Sequence, residues 1–156
     1  MSPKLPTATA IRETLKVLGT KQSDQERAIV AGIVERTEEL LCEEPFEVSS
    51  NGTFIRVTGT GEMAGKTTVM MQGLMWRATL DVDERLRMIF ESYAARLQQF
   101  MSKATGSAWP QQDCAPRVTV TREAISVAWE DTKGHELVRE LRTISRADIG
   151  LSEGVR

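Results

Sequence analysis

The chain has one histidine, His135, and two cysteines, Cys42 and Cys114, which form no CxxC unit. A structural zinc site needs four His or Cys ligands at short, familiar spacings, so none is expected. HExxH, GxSxG and the Asp-rich calcium loop are also missing. The single histidine stands near no serine or cysteine motif that would use it as a base. No catalytic residue, metal or cofactor is therefore expected, which weighs against an enzyme. No apolar run approaches the ~20 residues of a membrane span. The opening MSPKLPTATA lacks the apolar core of a signal peptide. These two absences imply a cytoplasmic protein with reduced thiols. Neither sign of charge dominates: 20 Lys plus Arg oppose 22 Asp plus Glu, a net charge of −2. That removes any reason to expect a general affinity for nucleic acid or an anionic membrane.

What remains is an ordinary globular composition. The 156 residues are 40% hydrophobic and 27% charged, enough for one domain with a real core. Residues 1–8 are rich in Pro and Thr and read as a flexible N-terminus. Residues 9–147 read as a single domain, and 148–156 as a flexible tail. A short helix is expected over 9–18, with Ile11, Leu15 and Leu18 on one face and Gly19 as its stop. A second opens on the capping box Ser23/Glu26 and carries Val30, Ile33, Val34, Thr37, Leu40 and Leu41 at helical spacing. Pro45 ends it. FEVSSNGTFIRV then reads as a hairpin about Asn51-Gly52, in a register that sets Val48 opposite Ile55 and Phe46 opposite Val57.

The stretch at 59–68, GTGEMAGKTT, has the look of a phosphate-binding loop. A Walker loop requires Gly-x4-Gly-Lys-Ser/Thr, and counting back from Gly65 reaches Thr60, not glycine. Two helices precede it, and the sequence beyond offers too little strand to build a doubly wound sheet. The better reading is a second hairpin with Met63-Ala64-Gly65 at its tip. That pairs Glu62 with Lys66 and places Met71 opposite Val57.

Asp81 and Glu84 repeat the capping pattern and open the longest helix. Its stripe is Val82, Leu86, Ile89, Phe90, Tyr93, Leu97, Phe100 and Met101. A long loop over 103–116 holds Trp109. RVTVTREAISVAW reads as a hairpin around Arg122-Glu123, with Val118 and Val120 facing Ile125 and Val127. A last helix is expected over 134–146 from the spacing of Leu137, Val138, Leu141 and Ile144. The expected order is α-α-β-β-β-α-β-β-α. It describes an α+β two-layer sandwich whose five-stranded, mostly antiparallel sheet has its helices mainly on one face. Without its first helix this order resembles that of type III secretion chaperones and related small binding proteins. The resemblance lies in the order of elements alone, and it implies a binding role.

The leading functional reading is thus a non-catalytic protein-binding domain, adaptor- or chaperone-like, with a protein partner or a second copy as its target. Its expected surface is the outer face of the sheet: Phe54, Arg56, Thr119 and Thr121. Trp109 reads either as a binding anchor from the loop or as a cover for the end of the core, and Phe54 either as part of that face or as tucked beneath the 103–116 loop. A nucleic-acid-binding accessory protein is the alternative, since residues 24–104 follow the α-β-β-β-α order of a double-stranded RNA-binding domain. Such a domain needs lysines where this chain has Asp81-Val82-Asp83-Glu84, so Arg56, Arg77, Arg117 and Arg122 would have to serve. A small-ligand pocket or an unrecognised enzyme site is the third reading.

Overall fold

A computed structural model of the chain describes residue 24 and residues 26–51, 54–70 and 81–149. The helix expected at 9–18, the Ser23 cap, Gly52, and Met71 to Met75 lie outside those residues. Helix α1 covers residues 24–40, residue 25 aside. Strands β1 (Phe46–Ser50), β2 (Ile55–Gly59) and β3 (Thr67–Met70) follow. Helix α2 is Val82–Thr105. Strands β4 (Cys114–Val120), β5 (Ala124–Asp131) and β6 (Leu137–Ser145) complete the order, with short 3₁₀ turns at Gly61–Met63 and Ala147–Ile149. The protein is α+β, as its patterning implies. Its strands form two three-stranded antiparallel sheets, β1-β2-β3 and β4-β5-β6, in place of one five-stranded sheet.

The sixth strand stands where a helix was expected. Leu141 and Ile144 are both buried, three residues apart, which reads as helical spacing. In β6 the same spacing arises from a bulge. Ile125 pairs with Ile144 and Val127 with Leu141, so two steps on β5 match three on β6. A bulged strand thus presents an i, i+3 apolar pair to the core, and the sequence pattern alone does not separate it from a helix. The turn before it is held by the Asp131 carboxylate, which accepts from the amides of Lys133 and Gly134 at 3.3 and 3.1 Å. His135 sits in that turn at φ 58°, not at a helix start.

Two hairpin registers differ from expectation in instructive ways. Val48 faces Val57 and Ser50 faces Ile55, so the first loop is two residues longer than a type I′ turn. A shift of two keeps the same side chains on the same face. Phe46, Ile55 and Val57 are accordingly buried. In the second hairpin Val57 faces Thr68 and Ile55 faces Met70. This shift is odd, so it changes the face, and Met70 points into the core. Glu62 lies in the 3₁₀ turn and does not face Lys66. The β4–β5 register is the expected one, Val118 to Val127 and Val120 to Ile125.

Both helices and one face of each sheet share a single core. α2 is the centre of it. Asp81 caps the helix by accepting from the Glu84 amide at 3.3 Å, and Gly106 closes it at φ 78°. Leu86, Phe90, Tyr93, Leu97 and Met101 are fully buried along its stripe. α1 adds Ile29, Val30 and Ile33, the turn after it adds Leu41, and α1 is stitched to β6. The buried Arg36 donates to the Thr143 carbonyl at 3.3 Å, and Arg142 forms a two-pronged pair with Glu39 at 2.9 Å. Arg146 joins the start of α2, Asp83, at 2.7 Å and the Thr121 carbonyl at 2.8 Å. The packed chain runs on to Ile149, which is buried, inside the stretch 148–156 read from sequence as tail.

Thr37 and Tyr93 put two hydroxyls into this core. Thr37 Oγ1 donates to the Ile33 carbonyl at 2.6 Å, which leaves Tyr93 Oη to donate to Thr37 Oγ1 at 2.5 Å. Burial drives the Tyr93 phenol far above its ordinary value, only partly offset by the Thr37 hydrogen bond. The fold therefore favours the neutral phenol. Its contribution is complete below the unfolded ionisation near pH ~10 and is lost as pH rises above it toward the folded value. Tyr93 is the only tyrosine in the chain, so phenolate absorbance reports it alone. In an alkaline titration that absorbance should appear together with loss of the helical circular dichroism signal. A phenolate forming near pH ~10 in a still-folded protein would show that Tyr93 is solvated.

Candidate functional site

Among the described residues no group of three or more His, Cys, Asp or Glu is placed to hold a metal ion. Among them, too, no helix is long and apolar enough to cross a membrane. Burial and then the Asp131 charge push the Cys114 thiol up from its ordinary value, with only the Gln111 backbone hydrogen bond acting the other way among the leading influences.

The five residues expected to form a binding surface are not all brought together. Phe54 and Arg56 meet: the guanidinium lies 5.2 Å from the ring centroid. Phe54 is half-buried and Arg56 exposed. Ser50 Oγ donates to the Phe54 carbonyl at 2.6 Å, which holds that backbone in place. Thr119 and Thr121 are exposed on the second sheet, at β4 and just past its end. Thr121 is occupied locally, since its hydroxyl oxygen accepts from the Ala124 amide at 3.1 Å and shapes the β4–β5 turn.

Trp109 belongs elsewhere. It is 5% exposed and packs edge-on against Trp129 at 5.4 Å between centroids. Its indole N–H donates to the Glu44 carboxylate at 3.2 Å, and Arg139 lies over the ring at 5.6 Å while pairing with Glu44 at 3.0 Å. Its backbone amide donates to Ser102 Oγ at 2.9 Å, tying the loop to the end of α2. Trp109 thus closes the core and offers no ring to a partner. The loop around it is shorter than expected, because α2 extends to Thr105 and β4 begins at Cys114.

The outward face of the second sheet follows from strand alternation. Ala115, Arg117, Thr119 and Thr121 are exposed, while Cys114, Pro116, Val118 and Val120 turn inward and are half-buried. Across the ladder Thr119 meets Ser126 and Arg117 meets Ala128. Arg117 also reaches Glu130 at 3.5 Å. β4 is an edge strand, and Pro116, which has no amide to donate, suits that position.

A second feature is of the kind the third reading allows, although the sequence named no residues for it. A cleft of about 660 Å³ opens between the start of β3 and the C-terminal half of α2. Lys66, Thr67 and Thr68 line one side, and Arg96, Gln99, Phe100 and Lys103 the other. The sequence signal was present on both sides. Gly65-Lys66-Thr67-Thr68 was singled out, and Arg96, Gln99, Phe100 and Lys103 lie three, four and seven residues apart on α2. Nothing in the chain marks that these two stretches meet.

No protein-family model, curated protein or solved structure matches the chain.

Proposed function

We propose that this chain is a non-catalytic protein-binding domain, adaptor- or chaperone-like, that meets its partner through the side of its sheets turned away from α1 and α2. What supports this reading is sidedness. Both helices and one face of each sheet are spent on a single core. The opposite faces carry Glu47, Ser49 and Arg56 on the first sheet and Ala115, Arg117 and Thr119 on the second, all exposed. Ser49, Ala115 and Thr119 are short enough to let another backbone or a flat surface approach closely between the charged Glu47, Arg56 and Arg117. The stacked pair of Phe54 and Arg56 supplies the aromatic and arginine chemistry enriched at interface centres. The arginines of the nucleic-acid reading give it less support. Arg56 lies on Phe54, Arg117 is paired with Glu130, and Arg77 lies outside the described residues.

Phe54→Ser and Thr119→Arg test the reading together, on the two sheets. Each should weaken partner binding or self-association by ~1–3 kcal/mol while barely moving the melting temperature. The measurements are sedimentation across a concentration series and quantitative co-purification from the native host. If both variants retain wild-type association, the sheet faces are not the docking surface. If Phe54→Ser instead melts early with association intact, Phe54 serves the core.

A further inference from the structure

We infer that the cleft between β3 and α2 is a binding site for a small molecule carrying two or more phosphate groups. Three cations, Lys66, Arg96 and Lys103, line one hollow, and among the described residues no Asp or Glu lines it. Among the described residues none of the three takes part in an ion pair, whereas Arg36, Arg117, Lys133, Arg139, Arg142 and Arg146 all do. Like charges gathered around a hollow repel one another, and a bound anion converts that repulsion into attraction. In a chain with 22 acidic residues and a net charge of −2, such a gathering runs against the overall balance.

The site is built by two unrelated pieces of local structure. On α2, Arg96 and Lys103 are seven residues apart, so they share a face beside the buried stripe. Gln99 and Phe100 stand between them. Arg96 Nη2 donates to the Val69 carbonyl at 3.4 Å, which leans the guanidinium toward β3. On the other side the β2–β3 connection is closed by two backbone bonds. The Gly59 amide donates to the Lys66 carbonyl at 2.7 Å, and the Lys66 amide donates to Met63 at 3.2 Å. These anchor Lys66 at the mouth of the cleft. The volume lies within the range of small-molecule sites. An arginine fork and two lysine point charges are the side chains that recognise phosphate oxygens. Three of them suit a di- or triphosphate better than a single phosphate. The half-buried Phe100 ring gives the wall an apolar surface for the rest of the ligand.

This is not a Walker loop in another guise. Lys66 is followed by an antiparallel strand, not by a helix, so no helix N-terminus faces the phosphates. The Lys66 amide is already used within the connection. Recognition here rests on side-chain charge, and magnesium should compete with the protein for the ligand.

Calorimetry of the full chain with inorganic phosphate, pyrophosphate and tripolyphosphate at low salt, without magnesium, tests the site. Saturable one-to-one binding that tightens along that series is expected. Lys66→Ala, Arg96→Gln and Lys103→Ala should each weaken tripolyphosphate by roughly five- to thirty-fold. Lys133→Ala, which removes an exposed lysine in the β5–β6 turn, should leave the affinity unchanged. Added magnesium should weaken binding. The inference is overturned if binding is unsaturable, if Lys133→Ala weakens it as much as the cleft variants, or if magnesium is required. It is also overturned if a single-stranded RNA decamer binds through these three cations while tripolyphosphate does not, since the cleft would then be part of a nucleic-acid track. Unchanged melting temperatures of the three variants keep loss of binding distinct from loss of fold.

Discussion

Phe90→Ala should destabilise the fold by about 3–5 kcal/mol, the range for truncating a fully buried aromatic. Phe90 has no exposed surface and sits in the first half of α2, which packs against strands of both sheets. Its neighbours on the stripe, Leu86, Tyr93 and Leu97, are equally buried, and each is held by its own packing. The space left by the ring cannot be filled without moving the helix, so the cavity cost adds to the lost burial. Small domains are stable by only about 5–15 kcal/mol, and a loss of this size takes a large share of that margin. Urea unfolding followed by circular dichroism would measure it. A loss below about 1 kcal/mol would mean that the α2 stripe is not the core, and the arrangement of both sheets around it would then be wrong.

Gly59→Ala should be the second most damaging change, and for a different reason. Gly59 ends β2, is buried, and pairs with Phe46. The 3₁₀ turn Gly61–Met63 folds back so closely that a Cβ on residue 59 would stand 2.0 Å from the Met63 carbonyl oxygen. That atom is backbone and also accepts the Lys66 amide, so it has nowhere cheap to go. Overpacking of this kind costs roughly 1–3 kcal/mol and often more where the obstacle is backbone. The same shift would move Lys66, so the variant should lose tripolyphosphate affinity along with stability. A neutral melting temperature in Gly59→Ala would show that the connection is looser than this geometry requires. Gly61, by contrast, has no atom within 4 Å of an added Cβ, and alanine there meets only the strain of its φ of 53°.

Much of the local structure was readable along the chain because it is decided by neighbours a few residues apart. The Asp81 cap and the stripe from Leu86 to Met101 follow from period and capping chemistry, and both are present. The β4–β5 register followed from a tight turn between two alternating runs. The alternation of β2 buried Ile55 and Val57 whatever the loop length, because a two-residue slip preserves the face. What the chain left undecided depended on partners distant in sequence. Leu141 and Ile144 suit a helix and a bulged strand equally well, and only the open edge of β5 selects the strand. The β2–β3 loop looked like a three-residue tip until Gly59 and the 3₁₀ turn were seen to need the same space. Along the chain Trp109 suited a core cover or an anchor, and Trp129, Glu44 and Arg139, distant in sequence, enclose it as a core cover. The cleft is the plainest case. Lys66 lies 30 residues from Arg96 and 37 from Lys103 along the sequence. No local rule links them. Their charges share one hollow because the antiparallel return of β3 lays its first residues against the last turns of α2, and that is a property of packing alone.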